Sequence, residues 1–255
     1  MKKNINQTYQ WIYESFSLLK RHIRFSLLAG MFYLMFYMFV PATPGLNILS
    51  PLLIILWPFV TILIVGNYLS KLNGQAFDIK MLFNLLRQKL SHLIFVGLLS
   101  IAYTIFLSAW LSADMTRIIE LSQSSELEKI SFNLISPILI KILLATIPFI
   151  MLTWFAPLLI VFKNYNFLKS IKSSFAACLI YLIPLLLSWI FFISIFLLVI
   201  FIVSFITSSM SFLSLSLSSL LSSFFILILV TIYFALTFAF QGITYKLFLN
   251  DLNFS

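Results

Sequence analysis

The chain has 255 residues, of which 62% are hydrophobic and only 9% are charged. A typical soluble domain is about 45–50% apolar and about 25% charged, so this composition excludes that class. The mean hydropathy of +1.11 predicts a polytopic membrane protein that forms a single integral membrane domain over residues 1–255. The single cysteine, Cys178, excludes an intramolecular disulfide and a multi-cysteine metal site, and is predicted to pack as a small apolar side chain.

Six apolar stretches are long enough to cross a bilayer, because about 20 apolar residues in a helix span ~30 Å of hydrocarbon. They cover residues 23–43, 48–69, 93–113, 134–162, 179–206 and 220–245. Residues 77–92 have an amphipathic pattern that predicts an interfacial helix, and residues 164–174 predict a shorter one. Residues 114–133 are polar and predict a short surface helix at most. The serine-rich residues 207–223 predict the turn of the last hairpin.

An internal repeat organises these stretches. A basic amphipathic segment precedes each pair of spans, reading FSLLKRH at residues 16–22, FNLLRQK at 83–89 and, more weakly, LKSIKSSF at 168–175. The hairpins then cover about residues 9–70, 76–162 and 165–248, and each begins and ends on the same side of the membrane. The predicted fold is an all-α helical bundle of about six transmembrane helices, arranged as three parallel-repeat hairpins with amphipathic interfacial helices.

The distribution of Lys and Arg predicts the orientation of the spans. With both termini in the cytoplasm, the cytoplasmic segments hold thirteen of them: Lys2, Lys3, Lys20, Arg21, Arg24, Lys71, Lys80, Arg87, Lys89, Lys163, Lys169, Lys172 and Lys246. Only Arg117, Lys129 and Lys141 then lie toward the outside. This bias predicts a bacterial cytoplasmic (inner) membrane protein with both termini cytoplasmic.

The sequence offers little material for catalysis. No Asp or Glu lies within the predicted hydrocarbon segments, and the motifs GxSxG, HExxH and a glycine-rich phosphate loop are all lacking. His22 and His92 stand in basic interfacial segments without a second ligand at helical spacing. We therefore expect no enzyme, no cofactor and no metal site. Nucleic-acid binding is not expected either, because the cations flank apolar runs instead of gathering on a soluble face.

Two sets of residues are candidate binding positions. The first set, the basic interfacial residues, is expected to contact lipid headgroups: Lys20, Arg21, Arg24, Arg87, Lys89, Lys169 and Lys172. The second is a candidate cavity formed by Pro58, Lys141, Trp154 and Pro157. Prolines at related places in two hairpins indicate either broken helices around a site or simple packing devices. Lys141 would either line that cavity or extend its side chain to the external interface.

Several short motifs resemble one known family. WFAPLLIVF at residues 154–162 and SSFAACL at 173–179 resemble a group of uncharacterised bacterial inner-membrane proteins, related to the membrane domains that accompany some glycerophosphodiester phosphodiesterases. QWIYESFSLLKRH at 10–22, Pro58, Gly66, Gly74 and YKLF at 245–248 fit the same pattern. The family usually continues its Ser-x-x-Ala stretch with a basic residue and Asn, where this chain has Cys178, Leu179 and Ile180. The resemblance implies a six-span inner-membrane protein and leaves the mechanism open.

Two functions remain open from the sequence. The first is a non-enzymatic membrane protein that engages acidic phospholipids or a membrane-protein partner, which includes a second copy of itself. The alternative is a carrier or flippase for an amphipathic solute that uses the proline-kinked central cavity.

Overall fold

The computed structural model describes residues 2–123, 132–209 and 215–252, and every regular element within these ranges is a helix. Six helical stretches are long and apolar enough to cross a membrane. A helix satisfies its backbone hydrogen bonds internally, which a segment exposed to hydrocarbon requires. The protein is an all-α, multi-pass integral membrane protein, and this confirms the predicted fold class.

The first hairpin follows the prediction closely. Helix α1 (Lys2–Arg21) precedes α2 (Ile23–Leu34), which continues through a π-helical segment (Met35–Phe39) into α3 (Val40–Ala42). Gly45 turns the chain with a φ of 84°, a conformation that glycine adopts without strain. A short 3₁₀ helix (Asn47–Leu49) then leads into α4 (Ser50–Leu72), so both predicted spans are confirmed.

The second hairpin corrects the boundary of the predicted interfacial helix. Helix α5 (Ile79–Gln88) is amphipathic as expected, but it ends before His92, which lies in α6 (Leu90–Gln123).

Helix α6 also corrects the prediction of a polar surface segment at residues 114–133. It runs for 34 residues, about 51 Å at 1.5 Å per residue, and carries Asp114, Arg117 and Glu120. No Gly or Pro interrupts residues 98–136, and charged side chains on a helix that has left the hydrocarbon are solvated. Of the predicted segment, residues 124–131 lie outside the described ranges.

The fourth predicted span is a broken helix. Helix α7 (Phe132–Thr153) stops at Trp154 and Phe155, and α8 (Ala156–Phe162) begins directly after them. Pro157 lies in the first turn of α8, where a proline needs no intrahelical partner for its nitrogen. Residues 156–161 are all buried.

The third hairpin starts later than predicted. Helix α9 (Phe167–Ile180) covers the start of the predicted fifth span, and α10 (Leu182–Ser209) begins only after Tyr181. Pro184 has no N–H to donate to the carbonyl of Ile180, and this missing hydrogen bond coincides with the interruption between α9 and α10. Helix α11 (Leu215–Leu252) is the last span. The turn predicted at the serine-rich residues 207–223 lies partly on residues 210–214, which are outside the described ranges. The described serines on either side of them are helical.

The chain divides into two compact units. Unit 1 comprises Met1–Leu53, Val60–Asn84 and Ala177–Ser255, and unit 2 comprises Ile54–Phe59 and Leu85–Ala176. The single-domain arrangement of three hairpins stays a prediction.

In unit 1, α11 is the central helix, and α1, α2 and α10 all pack against it. Tyr33 of α2 contacts Phe234 and Phe238 of α11, with ring centres 4.7 and 5.2 Å apart. The hydroxyl of Tyr68 in α4 donates a 2.7 Å hydrogen bond to Ser26 Oγ of α2, and both residues are fully buried.

In unit 2, α6 packs against α7. The Tyr103 ring stacks on Phe149 at 4.0 Å, and its hydroxyl lies 2.7 Å from Thr146 Oγ1. Trp57 Nε1 donates a 2.8 Å hydrogen bond to Ser100 Oγ, which joins the unit 2 part of α4 to α6.

Two glycines allow the closest helix contacts. Gly30 and Gly97 each follow the repeat's phenylalanine by fourteen residues, at Phe16 and Phe83 respectively. A Cβ added to Gly30 would collide with the Thr231 carbonyl oxygen of α11, and one added to Gly97 would lie 2.6 Å from Ile55 Cα. Small residues serve this purpose in membrane helix packing, where hydrophobic burial gives little driving force between helices.

We expect Gly30→Ala to destabilise unit 1 by about 1–3 kcal/mol, because the α11 backbone must move to accommodate the new methyl group. Gly242→Ala is the matched control, since a Cβ there would make ordinary contacts of 3.5 and 3.6 Å with Tyr68 and Val65. The control should be neutral or stabilising, because alanine favours a helix over glycine by about 1 kcal/mol. Unfolding midpoints in detergent measure both, and equal midpoints for the two variants would contradict the close α2–α11 contact.

Candidate functional site

Helix α1 presents three distinct faces. Its buried face, at helical spacing, consists of Thr8, Trp11, Ser15, Leu18 and Leu19. An adjacent apolar face is exposed and consists of Ile5, Tyr9, Tyr13 and Phe16. The third face is polar and consists of Asn6, Gln10, Glu14, Ser17 and Arg21. A helix on a soluble surface needs only two of these faces, one toward the core and one toward water.

The buried face of α1 is held firmly by unit 1. Trp11 is only 2% exposed, and its ring lies 5.7 Å from that of Tyr181 and 6.2 Å from that of Phe240. The exposed apolar face is therefore available to contact a second apolar environment, while the polar face next to it contacts water. Tyrosine-rich faces of this kind are typical of the membrane–water interface, where an aromatic ring reaches hydrocarbon and its hydroxyl stays hydrated.

Helix α5 repeats this arrangement over a shorter length. Leu82 and Leu86 are buried, while Ile79 and Phe83 on the edge of the same apolar face are exposed. Arg87 follows Phe83 by one helical turn and is exposed. The Asp78 carboxylate caps the first turn, because its Oδ1 accepts hydrogen bonds from the N–H groups of residues 80 and 81 at 2.9 and 3.1 Å.

Five of the basic interfacial residues lie on α1 and α5 or shortly after them in the sequence, and the other two, Lys169 and Lys172, lie on α9. Lys89 is half-buried and the other six are exposed: Lys20, Arg21, Arg24, Arg87, Lys169 and Lys172. Within the part of the chain that the structure describes, none of the seven forms an ion pair with a carboxylate. Lys169 Nζ instead lies 4.1 Å from the ring centre of Tyr165. Their charge is thus free to interact with an external anion.

Helix α9 packs a face of small residues, namely Ser170, Ser174, Ala177 and Cys178, into the protein. Burial of Cys178 confirms its predicted apolar packing and raises the pKa of its thiol to about 12.

Ser174 of this face completes the break between α7 and α8. Its Oγ accepts a 3.0 Å hydrogen bond from the Phe155 N–H and donates a 2.9 Å hydrogen bond to the Met151 carbonyl. The WFAP and SSFAACL segments therefore meet at this serine. Two backbone groups at the break, the Met151 carbonyl and the Phe155 N–H, are thus satisfied within the protein.

The structure locates the four candidate cavity residues separately. Pro58 is buried inside α4, Pro157 begins α8, and Trp154 lies in the break. Lys141 precedes Trp154 by thirteen residues on α7, a distance of about 20 Å along the helix axis. The cavity itself stays a prediction.

Lys141 has a partner that the sequence analysis missed. Its Nζ lies 2.7 Å from Asp114 Oδ2 of α6, in an ion pair whose side chains are 36% and 29% exposed. Asp114 is 24 residues beyond the start of α6, about 36 Å along the axis, which exceeds the ~30 Å thickness of a hydrocarbon core. The missed signal was the run of residues beyond Asp114 that contains no Gly or Pro. It lets α6 continue through the predicted short surface helix, so that Asp114 lies on a face of α6.

Lys71 and Lys246 are further cations that the site prediction left out. Lys71 Nζ lies 4.4 Å from the ring centre of Phe25, and Lys246 Nζ donates a 3.0 Å hydrogen bond to the Leu72 carbonyl. The pKa of the nearby His22 is lowered by its partial burial, and further by the charges of Lys71 and Arg21. The α1–α2 junction and the ends of α4 and α11 thus form one positively charged region in unit 1.

Compared with protein-family models, with curated proteins and with solved structures, the chain matches none of them. The resemblance to inner-membrane proteins with a WFAP motif therefore stays a prediction. Among the described residues, no group of three or more His, Cys, Asp or Glu side chains is placed to hold a metal ion.

We expect Lys141→Met and Asp114→Asn each to lower the free energy of unfolding by up to about 1 kcal/mol, because the ion pair is partly exposed. The double variant should lose less than the sum of the two, since the second change removes a charge that already lacks its partner. Arg117→Gln, on the same end of α6, is the control and should have a smaller effect. Equilibrium unfolding in mixed micelles measures all four variants, and strictly additive losses would mean that the two side chains do not interact.

Proposed function

We propose that this integral membrane protein has a non-enzymatic role in the bacterial cytoplasmic membrane, where it binds acidic phospholipid through its basic interfacial residues. The observation that carries this proposal is the set of seven cations, none of which forms an ion pair with a carboxylate in the described part of the chain. Five of them lie on or next to α1 and α5, whose apolar edges are exposed. Such a helix can bury its apolar edge among acyl chains while its cations reach the phosphates.

Electrostatics sets the expected strength of this binding. A Lys or Arg close to an anionic leaflet contributes about 1 kcal/mol, and the effect falls off within a Debye length of about 8 Å at physiological salt. Several such residues together would retain acidic lipid strongly at low salt and weakly at high salt. The exposed aromatic side chains of α1 would hold the helix at the depth where its cations meet the headgroups.

Binding of this kind would serve either of two roles in the envelope. It would gather acidic lipid around the protein, or it would present a lipid-bound surface to a membrane-protein partner or to a second copy of the chain. Both roles require the same headgroup contacts, so the first experiment concerns lipid and not the partner.

The carrier alternative makes a different demand on the molecule. It requires polar groups that face a solute in the membrane, whereas the break between α7 and α8 has its Met151 and Phe155 backbone groups bonded to Ser174. Lys141, the cation of that proposed pathway, is paired with Asp114. These contacts favour the lipid-binding proposal over a pathway through hairpin 2.

Native mass spectrometry on protein extracted gently from its own membrane tests the proposal. We expect acidic phospholipid to remain bound, and the combined change of Lys20, Arg21, Arg24, Arg87 and Lys89 to Gln to reduce its retention at least tenfold at low salt. That loss equals about 1.4 kcal/mol, well within the contribution of five interfacial cations. Arg117→Gln is the control, because it removes a cation at the far end of α6.

The outcomes separate the two functions. Equal retention of acidic lipid by the fivefold variant would contradict the proposal and reduce the basic residues to a topology signal. One solute bound at fixed stoichiometry in both proteins, and lost with Lys141→Met, would instead support the carrier.

A further inference from the structure

Four basic residues from three separate parts of the chain meet at one end of unit 1. Arg21 and His22 stand at the junction of α1 and α2, Lys71 at the end of α4, and Lys246 near the end of α11. Lys246 bonds to the carbonyl of Leu72, the residue next to Lys71, and the charges of Lys71 and Arg21 act on His22. The fold, and not sequence proximity, assembles this group.

Carboxylates do not balance this charge in the described part of the chain. The Glu14 side chain accepts a hydrogen bond from Gln10, the Asp78 side chain caps α5, and Asp114 pairs with Lys141. The charges that act on His22 are those of Lys71 from α4 and Arg21 on its own segment, and Lys246 from α11 binds the carbonyl of the residue next to Lys71. Cations gathered without a counterion repel one another unless an anion binds among them.

Internal contacts hold two of these cations in place. The Phe25 ring under Lys71 Nζ lies 5.2 Å from the Tyr68 ring, and Tyr68 is itself fixed by its hydrogen bond to Ser26. Lys246 uses one N–H on the Leu72 carbonyl, which leaves two of its three donors for another acceptor. A preorganised set of donors loses less side-chain entropy when it binds than the exposed lysines of α9 would.

We propose that Arg21, His22, Lys71 and Lys246 form a discrete binding site for a phosphate group, carried by an acidic phospholipid or free in solution. The inference rests on the proposed function but goes beyond it, because it selects one site and includes Lys71 and Lys246, which lie outside the basic interfacial residues. Phosphate oxygens accept hydrogen bonds from all four side chains once His22 is protonated. The pKa of His22 is lowered first by its partial burial and then by the charges of Lys71 and Arg21, and a bound phosphate would offset the effect of those charges.

The two histidines of the chain allow a direct test, because His22 and His92 give only two imidazole signals. The full-length protein, labelled at histidine, is titrated by NMR in phosphatidylcholine nanodiscs, and then in nanodiscs that also contain phosphatidylglycerol. His92→Gln assigns the signals. A third titration adds inorganic phosphate to the phosphatidylcholine nanodiscs.

We expect phosphatidylglycerol to raise the pKa of His22 by about one unit more than that of His92, which is tenfold in the protonation constant. A general surface potential would raise both values alike. Lys71→Gln should remove at least half of this extra rise, whereas Lys80→Gln, an exposed cation of α5, should leave it unchanged. Because Lys71→Gln also relieves repulsion of His22, the comparison uses the lipid-induced change within each variant.

Each outcome decides between the possibilities. Equal shifts for both histidines, or an extra rise that survives Lys71→Gln, would overturn the site. If acidic lipid is still retained in native mass spectra at the same time, the proposed function stands without this site, and if it is not, both fail. An extra rise with inorganic phosphate alone would support the site and identify free phosphate as its ligand.

Discussion

The requirement that backbone hydrogen bonds be satisfied inside the chain governs this molecule wherever it meets hydrocarbon. Continuous helices meet it without help, and the instructive places are those where a helix stops. At the break between α7 and α8, the hydroxyl of Ser174 bonds to both the Met151 carbonyl and the Phe155 N–H. At the end of α4, Lys246 donates to the Leu72 carbonyl. Each end is closed by a side chain from a segment distant in sequence, so these bonds contribute to tertiary structure as well as to helix termination.

The apolar environment of the spans also determines how the helices pack and how α1 is attached to them. Lipid is as apolar as the helices, so contact between spans depends on shape, and Gly30 allows α2 to approach the Thr231 carbonyl of α11. Helix α1 then fills the side of α10 and α11 with Trp11, while Tyr9 and Tyr13 stay exposed. The three-faced helix is thereby attached to unit 1 through one face only. Its other two faces are not buried in unit 1, and under the proposed function they would contact lipid and water.

Hydrophobicity alone identified the six spans, because the cost of charge in hydrocarbon leaves long uncharged runs that are easy to recognise. The errors arose where the decisive contact is tertiary. The pairing of Lys141 with Asp114 depends on α6 continuing through Asp114 as one helix. The polar composition of residues 114–133 instead predicted a separate, short surface helix at most. The break at Trp154 is closed by Ser174, nineteen residues from Phe155, and no local pattern announces it. The basic interfacial residues were found from charge placement, whereas Lys71 and Lys246 come near each other only because the ends of α4 and α11 are in contact.

The central claim is that α1 lies in the membrane–water interface with separate protein, lipid and water faces. Spin labels measure this most directly, in a Cys178→Ala background that carries either Tyr13→Cys or Gln10→Cys, in phospholipid nanodiscs. We expect the label at 13 to collide mainly with oxygen, which concentrates in hydrocarbon, and the label at 10 to collide mainly with a water-soluble nickel chelate. A label at Asn73→Cys, in the exposed turn after α4, supplies the value for full contact with water. Equal access of the nickel chelate to positions 10 and 13 would contradict the claim, because α1 would then lie in water.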